Sequence, residues 1–228
     1  MPRESLDRKL RHLQEEVLIL SSMVESAVTS SIEALRFHDL DSARVIISDD
    51  LRINAKRFEL ENEIIITIAT TQPVMATDLR LVASILEVVS ELERMGDYAK
   101  GIAKVTLLNG KQPHIKPLID IPLMAELAVS MLHRAVESFI NHDAETARQI
   151  PLEDDRVDAL YNQVYRELIT FMFHDPTTID RANYLLWVAH NLERMADRVT
   201  NICERAIYVA TGQLVELAMS DDEMPLKG

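Results

Sequence analysis

A chain of 228 residues is long enough for one large core or two smaller ones. Five glycines, 5% aromatics and abundant Ala, Leu, Ile, Val, Glu and Arg favour helix and argue against a β-sandwich. A net charge of −13 excludes a general nucleic-acid binder, because phosphate contacts need a basic surface.

Leu6, Leu10, Leu13, Val17, Leu20, Val24 and Ala27 step by four and three, a coiled-coil-like seam that predicts a first helix over about 5–37. His38-Asp39-Leu40-Asp41 reads as a helix turn with Asp39 or Asp41 as N-cap. A second helical run carries Val45, Ile46, Leu51, Ile53, Phe58, Leu60 and Ile64 to about Ala69. Thr70-Thr71-Gln72-Pro73 breaks it, and Pro73 suits the first turn of a third helix that ends at the C-cap pair Asn109-Gly110. Lys111 to Pro122 holds Pro113, Pro117 and Pro122 and is the one convincing linker. Beyond it the pattern predicts a fourth helix over about 122–141. A fifth follows over about 143–173, bent at Pro151, and His174-Asp175-Pro176 separates it from a sixth that runs to Thr211-Gly212. The tail after Met219 is acidic and predicted to fray.

Two of these stretches repeat. Leu92-Glu93-Arg94-Met95-Gly96-Asp97 returns as Leu192-Glu193-Arg194-Met195-Ala196-Asp197, at an offset of 100. His38-Asp39 matches His142-Asp143, Ala43-Arg44 matches Ala147-Arg148 and Asp50 matches Asp154, at an offset of 104. The change of offset falls around the break before the last helix, where loop length drifts freely. The expected fold is therefore all-α: two tandem three-helix bundles, six long helices in total, over residues 1–111 and 112–228. Short connections make neighbouring helices antiparallel, and each unit is expected to have an internally complete core.

Acidic pairs four residues apart are common here, with five in the chain against roughly six expected from 37 acids. Only recurrence lifts Glu93/Asp97 and Glu193/Asp197 above that background. The same offsets align Asp50 and Asn54 on the second helix with Asp154 and Asp158 on the fifth. Helices packed at about 8–10 Å would bring both pairs of each unit to one site. Acids that close repel unless a cation lies between them, and such oxygen donors suit Mg²⁺, Ca²⁺, Mn²⁺ or iron better than a structural zinc. The bland alternative is a solvated helix face.

Other residues offer less. His38 and His142 at equivalent turns suit capping, and His190 has Ser90 as its counterpart, outside any shared site. The methionines and Trp187 read as core packing, Trp187 anchoring the second core. Cys203, the sole cysteine, lies between Ile202 and Ile207 and reads as a core thiol in a reducing compartment. No glycine-rich phosphate loop, Ser/His/Asp set or Glu-x-x-His pattern is present. No apolar run follows Pro2-Arg3-Glu4-Ser5, and the longest apolar cluster, Ile64 to Ala69, falls short of the ~20 residues that span a bilayer. A soluble, cytoplasmic protein is the expectation.

Gln72-Pro73-Val74 with Asp78-Leu79-Arg80, then Leu92 to Ala99, resembles the PhoU family of phosphate-uptake regulators. Asn191 to Asp197, Thr200 to Glu204 and Tyr208 to Gly212 are similar to that family's second repeat, and the likeness spans about residues 5–215. The resemblance implies polynuclear metal clusters on Asp50/Asn54, Glu93/Asp97, Asp154/Asp158 and Glu193/Asp197, with Mg, Mn, Fe or Zn as candidate cations. It implies a non-enzymatic adaptor, often a homodimer. Its partners would be the ATPase subunit of the phosphate ABC transporter and a sensor histidine kinase, and it would meet the membrane only through them. Such an adaptor holds the phosphate-starvation response off. Asn54 stands where the family has a carboxylate, Asp78 and Arg80 lack counterparts at Thr178-Ile179-Asp180, and Ala196 replaces Gly96. A carboxylate-bridged metalloenzyme and a metal-free accessory scaffold of a low-affinity phosphate transporter are the alternatives.

Overall fold

In the computed structural model, which describes residues 2–70 and 74–217, helix accounts for nearly all of the chain. The helices are α1 (Pro2–Phe37), α2 (Leu40–Thr70), α3 (Ala76–Asn109), α4 (Asp120–Asn141), α5 (Ala144–Gln149), α6 (Asp154–His174) and α7 (Ile179–Thr211). The predicted fifth helix is interrupted rather than bent. Pro151 lacks an amide hydrogen, and Ile150–Glu153 tightens into a 3₁₀ turn between α5 and α6. A second 3₁₀ turn, Pro176–Thr178, opens α7. Pro73 and the acidic tail lie outside the described residues; α3 itself begins at Ala76, where Asp78 reaches back to the amide of Met75 at 2.8 Å.

The two His-Asp turns share one mechanism. His38 and His142 take left-handed backbone at φ 54° and 55°, ending α1 and α4. The amides of Asp39 and Asp143 reach the carbonyls of Ala34 and Ser138 at 2.9 Å. Asp39 and Asp143 then cap the next helix by accepting from amides two and three residues on.

Ion pairs give the helix directions, because partner numbers rise on one helix as they fall on the other. Glu16–Lys56 and His12–Glu63 make α1 and α2 antiparallel. Asp50–Lys100 and Glu93–Arg57 do so for α2 and α3. Lys116, just before α4, pairs with Glu167 of α6, and Arg134 of α4 pairs with Glu153, just before α6, so these two helices are antiparallel as well. The result is two three-helix bundles, α1–α3 and α4–α7, as the repeat predicts.

The expectation of two internally complete cores is corrected. α3 packs on α7 as fully as on α1, and α4 closes the ring by packing on both α7 and α1. One continuous apolar core therefore runs through α1, α3, α7 and α4, from Leu13 and Val17 through Val88 and Met95 to Met131 and Met195. Helices α2 and α6 flank it and each adds only an inner face, Ile53, Leu60 and Ile64 from α2 and Val157, Val164 and Leu168 from α6; α2 touches only α1 and α3 among the described elements. Burial of apolar surface at about 25 cal/mol per Å² makes this shared core the main source of stability.

Two further expectations change. α1 is long and apolar enough, by length and composition, to cross a bilayer. The residues responsible, among them Val17, Leu20, Val24 and Val28, are instead fully buried in the core. Trp187 anchors nothing: it is 47% exposed, with one ring edge about 4 Å from where a side chain at Gly101 would begin.

Candidate metal centre

Antiparallel packing of each outer helix on the last helix of its half brings the repeated acids together. In the α2–α3 groove, Asp50 is 2% exposed and accepts from Asn54 Nδ2 at 3.0 Å and from Lys100 Nζ at 2.6 Å. Lys100 also reaches Asp97 Oδ1 at 3.4 Å. Glu93 lies 3.1 Å from Arg57 Nη1, and Arg57 Nε donates to Glu61 at 2.8 Å. Hydrogen bonding to Asp50 raises Lys100 above the ordinary lysine value, and bonding to Glu61 does the same for Arg57. Two protein cations thus sit where the acids converge. Asn54 spends its amide on Asp50 and supplies no charge.

The α6–α7 groove has the same acids without those cations. Lys100 and Arg57 correspond, at the two offsets, to Thr200 and Tyr161. Burial first, then the negative charges of Asp158, Asp197 and Asp155, push Asp154 up to about 7. Burial, then Asp197 and Asp158, likewise push Glu193 up to about 7, with Arg194 opposing. Those mutual effects show that all four acids, Asp154, Asp158, Glu193 and Asp197, share one field. Asp154 Oδ1 and Glu193 Oε2 are buried without a hydrogen bond, although His190 Nδ1 stands 3.3 Å from the latter. Buried carboxylate oxygens left unbonded are costly.

These observations decide what each groove can hold. Among the described residues no three His, Cys, Asp or Glu side chains form a ready-made metal cage. The α6–α7 acids nonetheless fit a hard cation in donor type, in unsatisfied oxygens and in excess charge. A cation there would draw Asp154 and Glu193 together with Asp158 and Asp197 and discharge their repulsion. The α2–α3 acids fit one poorly, since Lys100 and Arg57 would first have to leave.

Some residues of the site escaped sequence reasoning. Lys100 and Arg57 carry a signal in the repeat itself, as charged residues whose counterparts are uncharged. Tyr161 has no such signal; its ring lies 6.2 Å from that of His190, which the sequence sets aside because its counterpart is Ser90 and which the structure places beside Glu193. Asp78 and Arg80 turn out to hold helix ends. Asp78 takes both guanidinium nitrogens of Arg3, at 2.6 and 3.0 Å, which pins the start of α1 to the start of α3. Arg80 lies over Gly212, the left-handed residue that ends α7, where a positive charge meets the negative end of the helix dipole. Cys203 is buried and its thiol is pushed up to about 12, so it is no nucleophile.

Fold and site together define a doubled three-helix bundle bearing carboxylate pairs at equivalent positions on its middle and last helices. The PhoU domain is matched twice, over residues 17–106 and 121–206. The chain is 37% identical over 211 residues to the phosphate-specific transport system accessory protein PhoU homolog of Aquifex aeolicus, covering 92% of this chain and 95% of that protein. With the Clostridium acetobutylicum homolog, identity is 35% over 218 residues, covering 95% and 99%. The crystal structure of the phosphate transport system regulatory protein PhoU from Streptococcus pneumoniae superposes with a TM-score of 0.85 at 33% identity, covering 93% of this chain and all of that one. The chain belongs to the PhoU family.

Proposed function

We propose that this chain is a regulatory accessory protein of phosphate transport, a non-enzymatic adaptor whose second half responds to a bound cation. The names of its relatives support the transport role, since they are accessory and regulatory proteins of the phosphate-specific system. The observation that carries the cation reading is the α6–α7 groove, where buried carboxylate oxygens lack partners and repel one another. Asp154, Asp158, Glu193 and Asp197 are the proposed ligands of Mg²⁺, Mn²⁺ or iron. Asp50, Asn54, Glu93 and Asp97 form a second, weaker site that a cation enters only by displacing Lys100 and Arg57. In this reading the protein works in the cytoplasm as a homodimer, restraining the starvation response by docking on the transporter ATPase and the sensor kinase.

The test pairs thermal melts with copurification. Wild type and the Glu193→Ala/Asp197→Ala variant are melted in chelator and with Mg²⁺, Mn²⁺ or Fe²⁺ added. A ligand that binds only the folded state raises Tm in the wild type alone. In chelator the variant melts at or slightly above the wild-type temperature, because like-charge repulsion is gone. The tagged wild type retains the transporter ATPase subunit more strongly with metal, and the variant loses that dependence. Identical metal responses in the two proteins would remove Glu193 and Asp197 from the ligand set. Failure to retain the ATPase under any condition would remove the adaptor role.

A further inference from the structure

Helix α2 carries a second apolar stripe besides the one that faces the core. Leu51, Ala55, Phe58, Asn62, Ile65 and Ala69 follow at steps of four and three, and all are exposed. Leu51, Phe58 and Ile65 are 71%, 62% and 62% exposed. That stepping is the seam of a coiled coil, here with an asparagine at one position. Nothing in the fold requires it. On α6 the six counterparts are Asp155, Ala159, Asn162, Arg166, Ile169 and Phe173, so charged and polar side chains interrupt there the stripe that α2 keeps apolar except at Asn62.

We propose that this stripe is a docking face for a second copy of the chain, the two α2 helices packing antiparallel about a twofold axis near Leu60. The stripe is complementary to itself in size. In that register Leu51 meets Ala69 of the second copy, Ile65 meets Ala55, and Phe58 meets Asn62, so a large side chain faces a smaller one at every level. Alternation of this kind lets two helices approach to interior packing density. A helix of another protein would give no reason for the stripe to read the same in reverse.

Charge points the same way. The stripe has no ionisable side chain, in a chain whose net charge of −13 makes its other faces repel a copy of themselves. Glu59 and Glu61 flank the axis and would approach their own counterparts. Each is already held by a cation, Glu59 by Lys56 at 3.1 Å and Glu61 by Arg57 at 2.8 Å. The repulsion that remains is screened by salt. The outer face of α2 supplies about half the residues of a standard interface, which makes the dimer reversible, with a Kd on the order of micromolar. This face specifies the homodimer of the proposed function, and its test involves neither metal nor transporter.

Sedimentation analysis of the full chain, from low to high micromolar concentration, tests it. The wild type enters a monomer–dimer equilibrium that tightens with added NaCl. Phe58→Asn and Ile65→Glu each weaken association at least about tenfold without lowering Tm, and Asn162→Glu on α6 leaves it unchanged. Cys203 is buried, so an introduced thiol is the only accessible one. Ala55→Cys alone therefore stays unlinked under mild oxidation, but mixed with Ile65→Cys it gives an interchain disulfide. A wild type monomeric throughout, whatever else the stripe then binds, would overturn the proposal. So would a dimer indifferent to both α2 variants, or self-linking of Ala55→Cys.

Discussion

Asp154 and Glu193 hold protons far above the usual carboxylate range, each near 7 against ordinary values of 3.8 and 4.5. A carboxylate whose folded pKa is raised contributes stability below its unfolded value and loses it as pH climbs through the folded one. Chelated protein therefore melts at progressively lower temperature between about pH 5 and pH 8, at a cost on the order of 1 kcal/mol per group once solvent screening is allowed for. Glu193→Gln, which cannot ionise, reduces that fall, and a saturating divalent cation suppresses it by competing with the protons. Melting curves at several pH values, with and without chelator, read both effects. A chelated protein equally stable at both ends of the range would remove the repulsion argument.

Between elements, the distance from α2 to α3 is set by a missing methyl group. A Cβ at Gly96 would lie 3.1 Å from two carbons of Ile53, closer than comfortable packing allows. The second half makes the opposite choice, with Ala196 and the smaller Val157 at the equivalent, fully buried positions. Gly96→Ala gains about 1 kcal/mol of helix propensity and loses a similar amount to crowding. With Ile53→Val also in place the crowding is relieved. Urea denaturation of the four proteins of the cycle should show Gly96→Ala more favourable in the Val background by about 1 kcal/mol. Additive effects would mean that α2 shifts freely. The helices themselves were legible in the sequence because buried residues recur every three or four positions, and the Asp39 and Asp143 caps follow from the same turn chemistry. The break at Pro151 was legible as a disturbance; its form as a 3₁₀ turn depends on how α5 and α6 pack on α4 and α7, which periodicity does not contain. The convergence of acids followed from the repeat. The cations that neutralise one site and not the other, Lys100 and Arg57, stand where the two repeats differ, so a pattern of shared residues does not contain them.

In the whole molecule the linker ties the halves rather than merely spacing them. His114 stacks on His38 with ring centroids 4.2 Å apart, its Nε2 lies 3.0 Å from the Leu35 carbonyl, and Arg181 donates to the Pro113 carbonyl. We propose that the division at 111/112 is nonetheless the most accessible peptide region, with Lys111 exposed and Lys116 followed by a proline. Limited trypsin digestion should cut first after Lys111, and the two fragments should elute together because α1, α3, α4 and α7 share one core. A first cut inside α3, or separation of the fragments, would count against this arrangement.

Where α3 crosses α7, the equivalent positions of the two repeats meet: Arg198 donates to the hydroxyl of Tyr98 at 2.8 Å and reaches Glu91 at the same distance. In a symmetric pair of identical halves, a residue on such an axis can only greet itself. Two first halves would set tyrosine against tyrosine, and two second halves would oppose arginine to arginine. The pairing found here exists because the halves differ, so each is the lock for which only the other is cut. Covalent fusion through the linker then guarantees what recognition already prefers, and it leaves each half free to diverge: one keeps its own lysine, Lys100, among its acids, where the other has Thr200.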